Sequence, residues 1–295
     1  MTSPNNHVVC IYHDHCLDGI AAAWVVWRHF KNLGLEITLI PGVYNKPLPE
    51  GLAGKTVFVV DFSFDREKTE WLIENTNLVL LDHHKSAKKA LQGLCEVDLT
   101  YSGAMLAWRY FNPNTPAPEA IRYVEDNDLW KFTYPSTKAW VTAAFSYPLT
   151  VEIFDSLVNR DPLDMVAEGE TLLRKQRQDI KRILHNTRTM IVFGMEVPVI
   201  NANIMFTSDL GDALYHVYPL VVIYSDQADG RKFSFRSKKV TGYPVNEIAE
   251  YFGGGGHGEA ASFTLPFSDK RFAKSHMMLN RSIWDCVKLY FKNLF

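Results

Sequence analysis

The sequence predicts an α/β protein of two domains, the first built on a parallel sheet, and three observations lead there. Short apolar runs alternate with segments of helical period through the first half of the 295-residue chain, the pattern of strands joined by helical crossovers. Three of those runs end in ligand-type side chains: Val8–Tyr12 runs into His13, Thr56–Val60 into Asp61, and Asn77–Leu81 into Asp82-His83-His84. A long charged helical stretch then precedes a second set of strands, which closes on Gly253-Gly254-Gly255-Gly256-His257-Gly258. Ligands of open parallel sheets bind at the carboxyl ends of the strands. Three such ends bearing carboxylate or imidazole therefore predict a polynuclear metal centre.

Taken in order, Val8–Tyr12 reads as a strand and Gly19–Leu33 as a helix stopped by Gly34. Glu36–Ile40 and Thr56–Val60 are strands, and a helix lies near Asp65–Glu74. Leu78–Leu81 is uninterruptedly apolar and reads as a strand buried on both faces. Ser102–Phe111 and Glu119–Glu125 are helices on either side of a turn-rich break at Asn112–Pro118. Pro162–Asn186 carries a partial apolar stripe of Val166, Leu172, Leu173, Ile180, Ile183 and Leu184. It is either a helix connecting two domains or a surface helix of the first. Strands at Met190–Phe193, Glu196–Ile200, Pro219–Tyr224 and Arg231–Arg236, with a helix near Val245–Phe252, make the second domain. Ile283, Val287, Tyr290, Phe291 and Leu294 recur at helical spacing and predict a tail helix docked on the chain's own core. The expected boundaries are residues 1–160 for the metal domain, 161–189 for a helical linker and 190–295 for a smaller α/β domain.

Composition narrows the function. A net charge of −2 leaves no bulk electrostatic footprint for long nucleic acid, although a local basic groove is compatible with it. Cys10, Cys16, Cys95 and Cys286 show no CxxC spacing, which argues against a zinc ribbon or a disulfide framework and fits a reducing cytoplasm. The polar N-terminus has no signal-peptide pattern, and the apolar stretch Ala21–Trp27, ended by Arg28, is too short to span a bilayer. A cytoplasmic location is expected.

Carboxylate oxygens combined with imidazole nitrogens suit manganese, or magnesium with fewer imidazoles. Two such ions that share a bridging carboxylate can clamp a phosphoryl group, and Asp61, on the middle strand end in sequence, is the natural bridge. Adjacent strand-end residues point to opposite sides, so His83 and His84 are expected to divide between metal and substrate. In Glu125-Asp126-Asn127-Asp128-Leu129-Trp130, either Asp126 or Asp128 could complete a second ion's shell; an acidic helix end followed by an apolar anchor is the alternative. The glycine run is either a flexible linker or, the favoured reading, a nest whose backbone N–H groups converge on an anion, with His257 adding a donor. Arg236 ends a strand and can fork onto phosphate or carboxylate, or simply be solvated. His7, His29, His185, His216 and His276 stand alone and read as structural.

In this order the pieces resemble the DHH phosphoesterase superfamily, in the branch with a DHH-associated C-terminal domain that holds RecJ-like exonucleases and nanoRNA-degrading oligoribonucleases. The resemblance runs from His13 to Phe263 and rests on four separated motifs: His13-x-x-Cys16-x-Asp18-Gly19, Asp61, Asp82-His83-His84 and the glycine-rich His257 segment. It implies two manganese ions, or magnesium in their place, held by His13, Asp18, Asp61, Asp82, His83 and Asp128. Asp61 matches the bridging carboxylate, Asp82 a supporting ligand or orienting group, and Asp128 the fourth-motif aspartate better than Asp126 does. His84 resembles the histidine that contacts the scissile phosphate, so His84, Asp61 and Asp82 are the expected catalytic residues. Substrate would be held by His84, Arg236, Gly254, Gly255, Gly256 and His257. The sequence departs from the family where many members carry an acid two positions before Asp18. Here that residue is Cys16, a softer ligand less suited to manganese; Asp14 or water is left to fill its place, or the first ion binds weakly.

The implied activity is hydrolysis of short oligonucleotides to mononucleotides by a two-metal activated water, in a cleft between the domains. Alternatives within enzymes are a 3′-phosphoadenosine 5′-phosphate phosphatase, a phosphodiesterase for cyclic or linear dinucleotides and, more remotely, an inorganic pyrophosphatase. From another class comes a catalytically weak nucleotide-binding regulatory protein, favoured only by Cys16. The expected partner is a short oligonucleotide or nucleotide and not a membrane. No protein partner is deducible, and homodimerisation is left open.

Overall fold

The computed structural model describes residues 7–44, 46–192, 195–215, 217–237, 243, 245–256 and 258–269. His216, His257, His276 and the stripe from Ile283 to Leu294 lie outside the described residues. The chain divides into two compact units, residues 1–174 and 175–295.

In the first unit, β1 (Val8–His13), β2 (Ile37–Gly42), β3 (Thr56–Val60) and β4 (Asn77–Leu81) form a parallel sheet in the order β2-β1-β3-β4. The register sets Tyr12 opposite Val60 and Val60 opposite Leu81. His13, Asp61 and Asp82, each the next residue along, therefore leave the sheet at one level. Period-two alternation sorts the side chains. Val8, Cys10, Phe58 and Val60 join one core with α1 (Leu17–Asn32) and α4 (Gly103–Phe111). Val9, Ile11, Val57 and Val59 join another with Leu52, Phe62, Phe64 and, from α2 (Arg66–Asn75), Leu72. β4 departs from the expectation of burial on both faces. It is the edge strand, and Leu78–Leu81 are half-buried. An apolar run marks a strand covered by neighbours, but sheet order decides how completely.

The remaining helices of this unit are α3 (Lys85–Ala90), α5 (Glu119–Asp128), α6 (Thr137–Phe145), α7 (Val151–Val158) and the start of α8 (Pro162–Leu184). The sequence reading missed α6 and α7, which are short and lie among Pro and Ser residues. Tertiary packing forms them: Trp140, Val141 and Phe154 are buried in the core that holds Trp24, Phe154 meets Trp24 edge-on, and Trp24 Nε1 donates to Asp155 at 2.8 Å. At Gly169 of α8 a Cβ would lie 1.8 Å from the Ala139 carbonyl oxygen, so α8 and α6 meet backbone to backbone.

In the second unit, β5 (Arg188–Val192), β6 (Met195–Asn201), β7 (Leu220–Asp226), β8 (Gly230–Ser237), β9 (Gly255–Gly256) and β10 (Ala260–Pro266) form a mixed sheet in the order β5-β6-β7-β8-β10-β9. β6 and β7 run parallel and the other pairs antiparallel. One face packs Val199, Val222, Phe235 and Phe263 on α10 (Val245–Tyr251). The other packs Ile200, Val221 and Ile223 on Leu210 of α9 (Thr207–Tyr215) and on Ile180, Ile183 and Leu184 from the end of α8. Among the described residues, no helix is long and apolar enough to cross a membrane.

Candidate metal centre

Five segments bring six ligand-type side chains to the carboxyl edge of the first sheet. His13, Asp61 and His84 form one group whose ligand atoms lie within 4.8 Å of one another, and Asp18, His83 and Asp128 form a second. Asp61 joins them. Its Oδ2 faces His13 Nδ1 at 3.4 Å, and its Oδ1 faces His83 Nε2 at 3.1 Å. His83 Nε2 also lies 3.4 Å from Asp128 Oδ2 and 3.8 Å from Asp18 Oδ2. The buried His13 Nδ1 and Asp61 Oδ2 have no hydrogen-bond partner. Two ligands of one ion, each at ~2.1 Å, stand roughly 3 Å apart, so this orphaned pair fits a cation between them.

The neighbouring residues hold this arrangement in place. β3 brings Asp61 to the edge of the site with a left-handed backbone, φ 50°. α4 begins directly against it: at Gly103 a Cβ would lie 2.4 Å from Asp61 Cβ. The first amides of α4 also fix Asp18, whose Oδ2 accepts from Gly103 N at 2.6 Å and whose Oδ1 accepts from Ala104 N at 3.1 Å. A carboxylate at a helix N-terminus is favoured by both the free amides and the dipole.

Asp82, expected among the ligands, stands outside both groups. It accepts from Ser63 Oγ at 2.6 Å and from the His83 amide at 2.7 Å, and lies 2.7 Å from His84 Nδ1, so it orients His84. The two imidazoles do not diverge as strand alternation suggested. Their centroids are 4.7 Å apart and both approach Asp61. The strand has ended at Leu81 and His84 caps α3, so the period of two no longer applies. Asp128 joins the second group, while Asp126 turns away to Thr133, Tyr134 and Thr137. Cys16 and Asp14 are in neither group. Burial, with Asp61 and Asp18 nearby, pushes the Cys16 thiol far up, so it is a neutral neighbour. Asp14 is turned to His15, accepting from its amide at 2.9 Å.

Electrostatics follow from crowding four carboxylates and three imidazoles. Burial and the neighbouring Asp61 and Asp128 hold the Asp18 carboxyl well above its usual range. Asp128 is raised by burial, against the pull of His83. Burial opposes the charge on Asp61, yet His13, His83 and His84 outweigh it and keep that carboxyl low. Burial likewise opposes an imidazolium at His83, but Asp61, Asp18 and Asp128 raise it to about 9. Packed carboxylates that share protons and imidazoles in this way suit a divalent cation, which would replace those protons.

In the second unit, Arg236, Lys232, Ser234, Thr207, Ser262, Gly255 and Gly256 line a cleft of about 270 Å³. Arg236 makes no ion pair among the described residues; its Nη1 donates to the Phe235 carbonyl at 2.9 Å, and burial lowers its pKa. The glycine run is structured. Gly255 and Gly256 pair with Ser262 and Ala261, and a Cβ at Gly254 would meet the Ser262 carbonyl oxygen at 2.1 Å.

No family model matches the sequence. The chain is 29% identical over 283 residues to an uncharacterised protein of Acanthamoeba polyphaga mimivirus, covering 87% of this chain and 67% of that one. Three solved structures share its fold. A pGpG-specific phosphodiesterase from Vibrio cholerae aligns over 92% of this chain and 98% of its own, with a TM-score of 0.54 and 12% identity. An exopolyphosphatase-related protein from Bacteroides fragilis aligns over 97% and 94%, at 0.55 and 14%. RecJ from Thermus thermophilus, in complex with Mn2+, aligns over 95% of this chain at 0.55 and 15%; the chain spans 52% of RecJ. The chain has the two-domain α/β fold of these three structures.

Within that fold the sequence reading overlooked several supporting groups. The Gly103 and Ala104 amides act on Asp18, and Ser63 on the supporting Asp82, through main chain or a single hydroxyl, which leaves little trace in a motif. Ser102-Gly103 at the start of a helical period was the available signal for the α4 terminus. Tyr44, just beyond β2, packs edge-on against His13 at 5.5 Å and had no signal at all.

Proposed function

We propose that this chain is a metal-dependent phosphodiesterase acting on short oligonucleotides or linear dinucleotides, with two divalent cations and manganese preferred to magnesium. The observation that carries this reading is Asp61, whose two oxygens each face a separate group of imidazole and carboxylate ligands. His13, Asp61 and His84 would hold one ion, and Asp18, Asp61, His83 and Asp128 the other. Two bound cations supply positive charge that activates water and neutralises the phosphoryl oxygens. Asp82 engages Nδ1 of His84 and leaves Nε2 for a cation or the scissile phosphate. In the second unit, Arg236 and the glycine run are assigned the substrate's terminal phosphate, supported by the cleft they line together and by an arginine that donates there to the Phe235 carbonyl. His257 is assigned to the same task from its place in the sequence.

A pGpG-specific enzyme of this fold makes linear dinucleotides a natural first substrate to try. The net charge of −2 favours short substrates over long ones, because each neutralised phosphate requires a basic side chain. The experiment is turnover with manganese across dimers to twenty-mers, linear and cyclic dinucleotides, 3′-phosphoadenosine 5′-phosphate and pyrophosphate. Release of mononucleotides from short substrates is expected. Turnover confined to pyrophosphate or to the 3′-phosphomonoester would replace this reading.

A further inference from the structure

We propose that Trp130 and Phe132 form a stacking platform for one nucleobase of the substrate, beside the metal centre. The inference deepens the phosphodiesterase reading and rests on it for the expectation of a base-bearing ligand. Both rings sit in the segment immediately after Asp128, Trp130 57% exposed and Phe132 37% exposed. They meet edge to face, with centroids 4.8 Å apart and planes at 76°, so the pair is arranged in advance of any ligand.

Their backbone is the stronger observation. Bulky residues avoid the left-handed region, yet Trp130 has φ 54° and Phe132 φ 47°. Among the described residues only two other non-glycine positions have positive φ: Asp61, which joins the two ligand groups, and His15, two residues after His13. All four therefore flank or form the candidate metal centre. Such strain persists only where surrounding structure enforces it, and it concentrates at functional sites.

Asp126 does the enforcing. It is 3% exposed, and its Oδ1 accepts from Thr133 N at 2.8 Å. Its Oδ2 accepts from Tyr134 N at 3.2 Å and from Thr137 Oγ1 at 2.5 Å, and its carbonyl accepts from Lys131 N at 2.9 Å. A buried carboxylate thus anchors the segment that presents these two paired rings to solvent. A nucleobase suits these rings because every base presents a π-face to an aromatic side chain. The exposed Lys131 between them adds positive charge for a phosphate. Residue 130 lies at most about 7 Å of chain from Asp128, within reach of the base of a nucleotide whose phosphate is at the ligands.

The test measures binding, so that it stands apart from turnover. Isothermal titration of the manganese-loaded full chain compares adenosine 5′-monophosphate with ribose 5-phosphate, which carries the same phosphate and no base. The wild type is expected to bind the mononucleotide more tightly. Trp130→Ala should weaken mononucleotide binding about tenfold and leave ribose 5-phosphate unchanged, whereas Trp130→Phe should retain most of the affinity. If Trp130→Ala misfolds by circular dichroism, Phe132→Ala, which removes the other ring of the pair, carries the same comparison. No preference for the base in the wild type overturns the platform, as does an equal loss for both ligands in the alanine variant. Unchanged mononucleotide binding also overturns it and points to a protein-docking surface. A base-selective loss in a protein that cleaves no phosphodiester would retain the platform and reject the phosphodiesterase reading.

Discussion

Asp61 lies within reach of three imidazoles, at 3.4 Å from His13, 3.1 Å from His83 and 3.9 Å from His84. Asp61→Asn keeps the size of the side chain and removes the shared charge. It is expected to lower manganese-dependent turnover at least about a hundredfold, several kcal/mol of transition-state stabilisation, with an unchanged far-ultraviolet circular dichroism spectrum. Turnover near wild type would reject the bridging role. His83 sets a pH dependence. With its pKa raised to about 9 in the metal-free protein, it is protonated at neutral pH, and a cation must displace that proton. Manganese affinity should therefore rise with pH, by about tenfold per unit for one displaced proton, up to the His83 pKa. Titrations between pH 6 and 8 with a count of protons released check the sign; affinity falling with pH would contradict it. Asp126 has a structural task. Asp126→Ala strips an acceptor from two amides and a hydroxyl and should cost about 1–3 kcal/mol in denaturant unfolding, whereas Asp128→Ala should instead reduce bound manganese.

At the scale of elements, the site depends on how closely α4 approaches β3. Gly103 permits that approach, since a side chain there would meet Asp61 Cβ at 2.4 Å and Cα at 2.8 Å. Gly103→Ala should push α4 back, loosen the amides from Asp18 and lower metal affinity, while destabilising the fold by about 1–3 kcal/mol through overpacking. Equilibrium dialysis with manganese, beside a melting curve, separates the two effects; unchanged metal binding would show that the helix terminus does not support the site. The elements themselves were unevenly legible. β1 and β3 could be read because a buried parallel strand needs an unbroken apolar run, and the ligand residues stood at their ends. α6 and α7 could not, because they form by packing on distant elements: Phe154 meets Trp24, and Trp140 meets Phe154 and Tyr123. α5 runs on to Asp128 rather than stopping at Glu125, since nothing in Asp126-Asn127-Asp128 breaks a helix outright.

For the whole molecule, a near-neutral chain of 295 residues lacks the basic run that a long phosphate backbone requires. Catalytic efficiency should be highest for substrates of about two to five nucleotides and fall with length. A length series under matched salt checks this, and equal efficiency on long single-stranded DNA would favour a RecJ-like exonuclease. The sequence by itself determined the α/β class, the four strands of the first sheet and the residue types at their ends, because period and terminal chemistry are local properties of a chain. It also placed Asp61 at the joint between ligand groups, since its strand falls between the other two. Only the tertiary structure decided which side chains converge. Asp128 rather than Asp126 faces His83, His84 turns back toward Asp61, and Asp82 becomes a support. Those choices depend on the few ångströms by which α3, α4 and α5 approach the sheet edge. Packing between elements distant in sequence sets those distances, and a one-dimensional pattern carries no term for it.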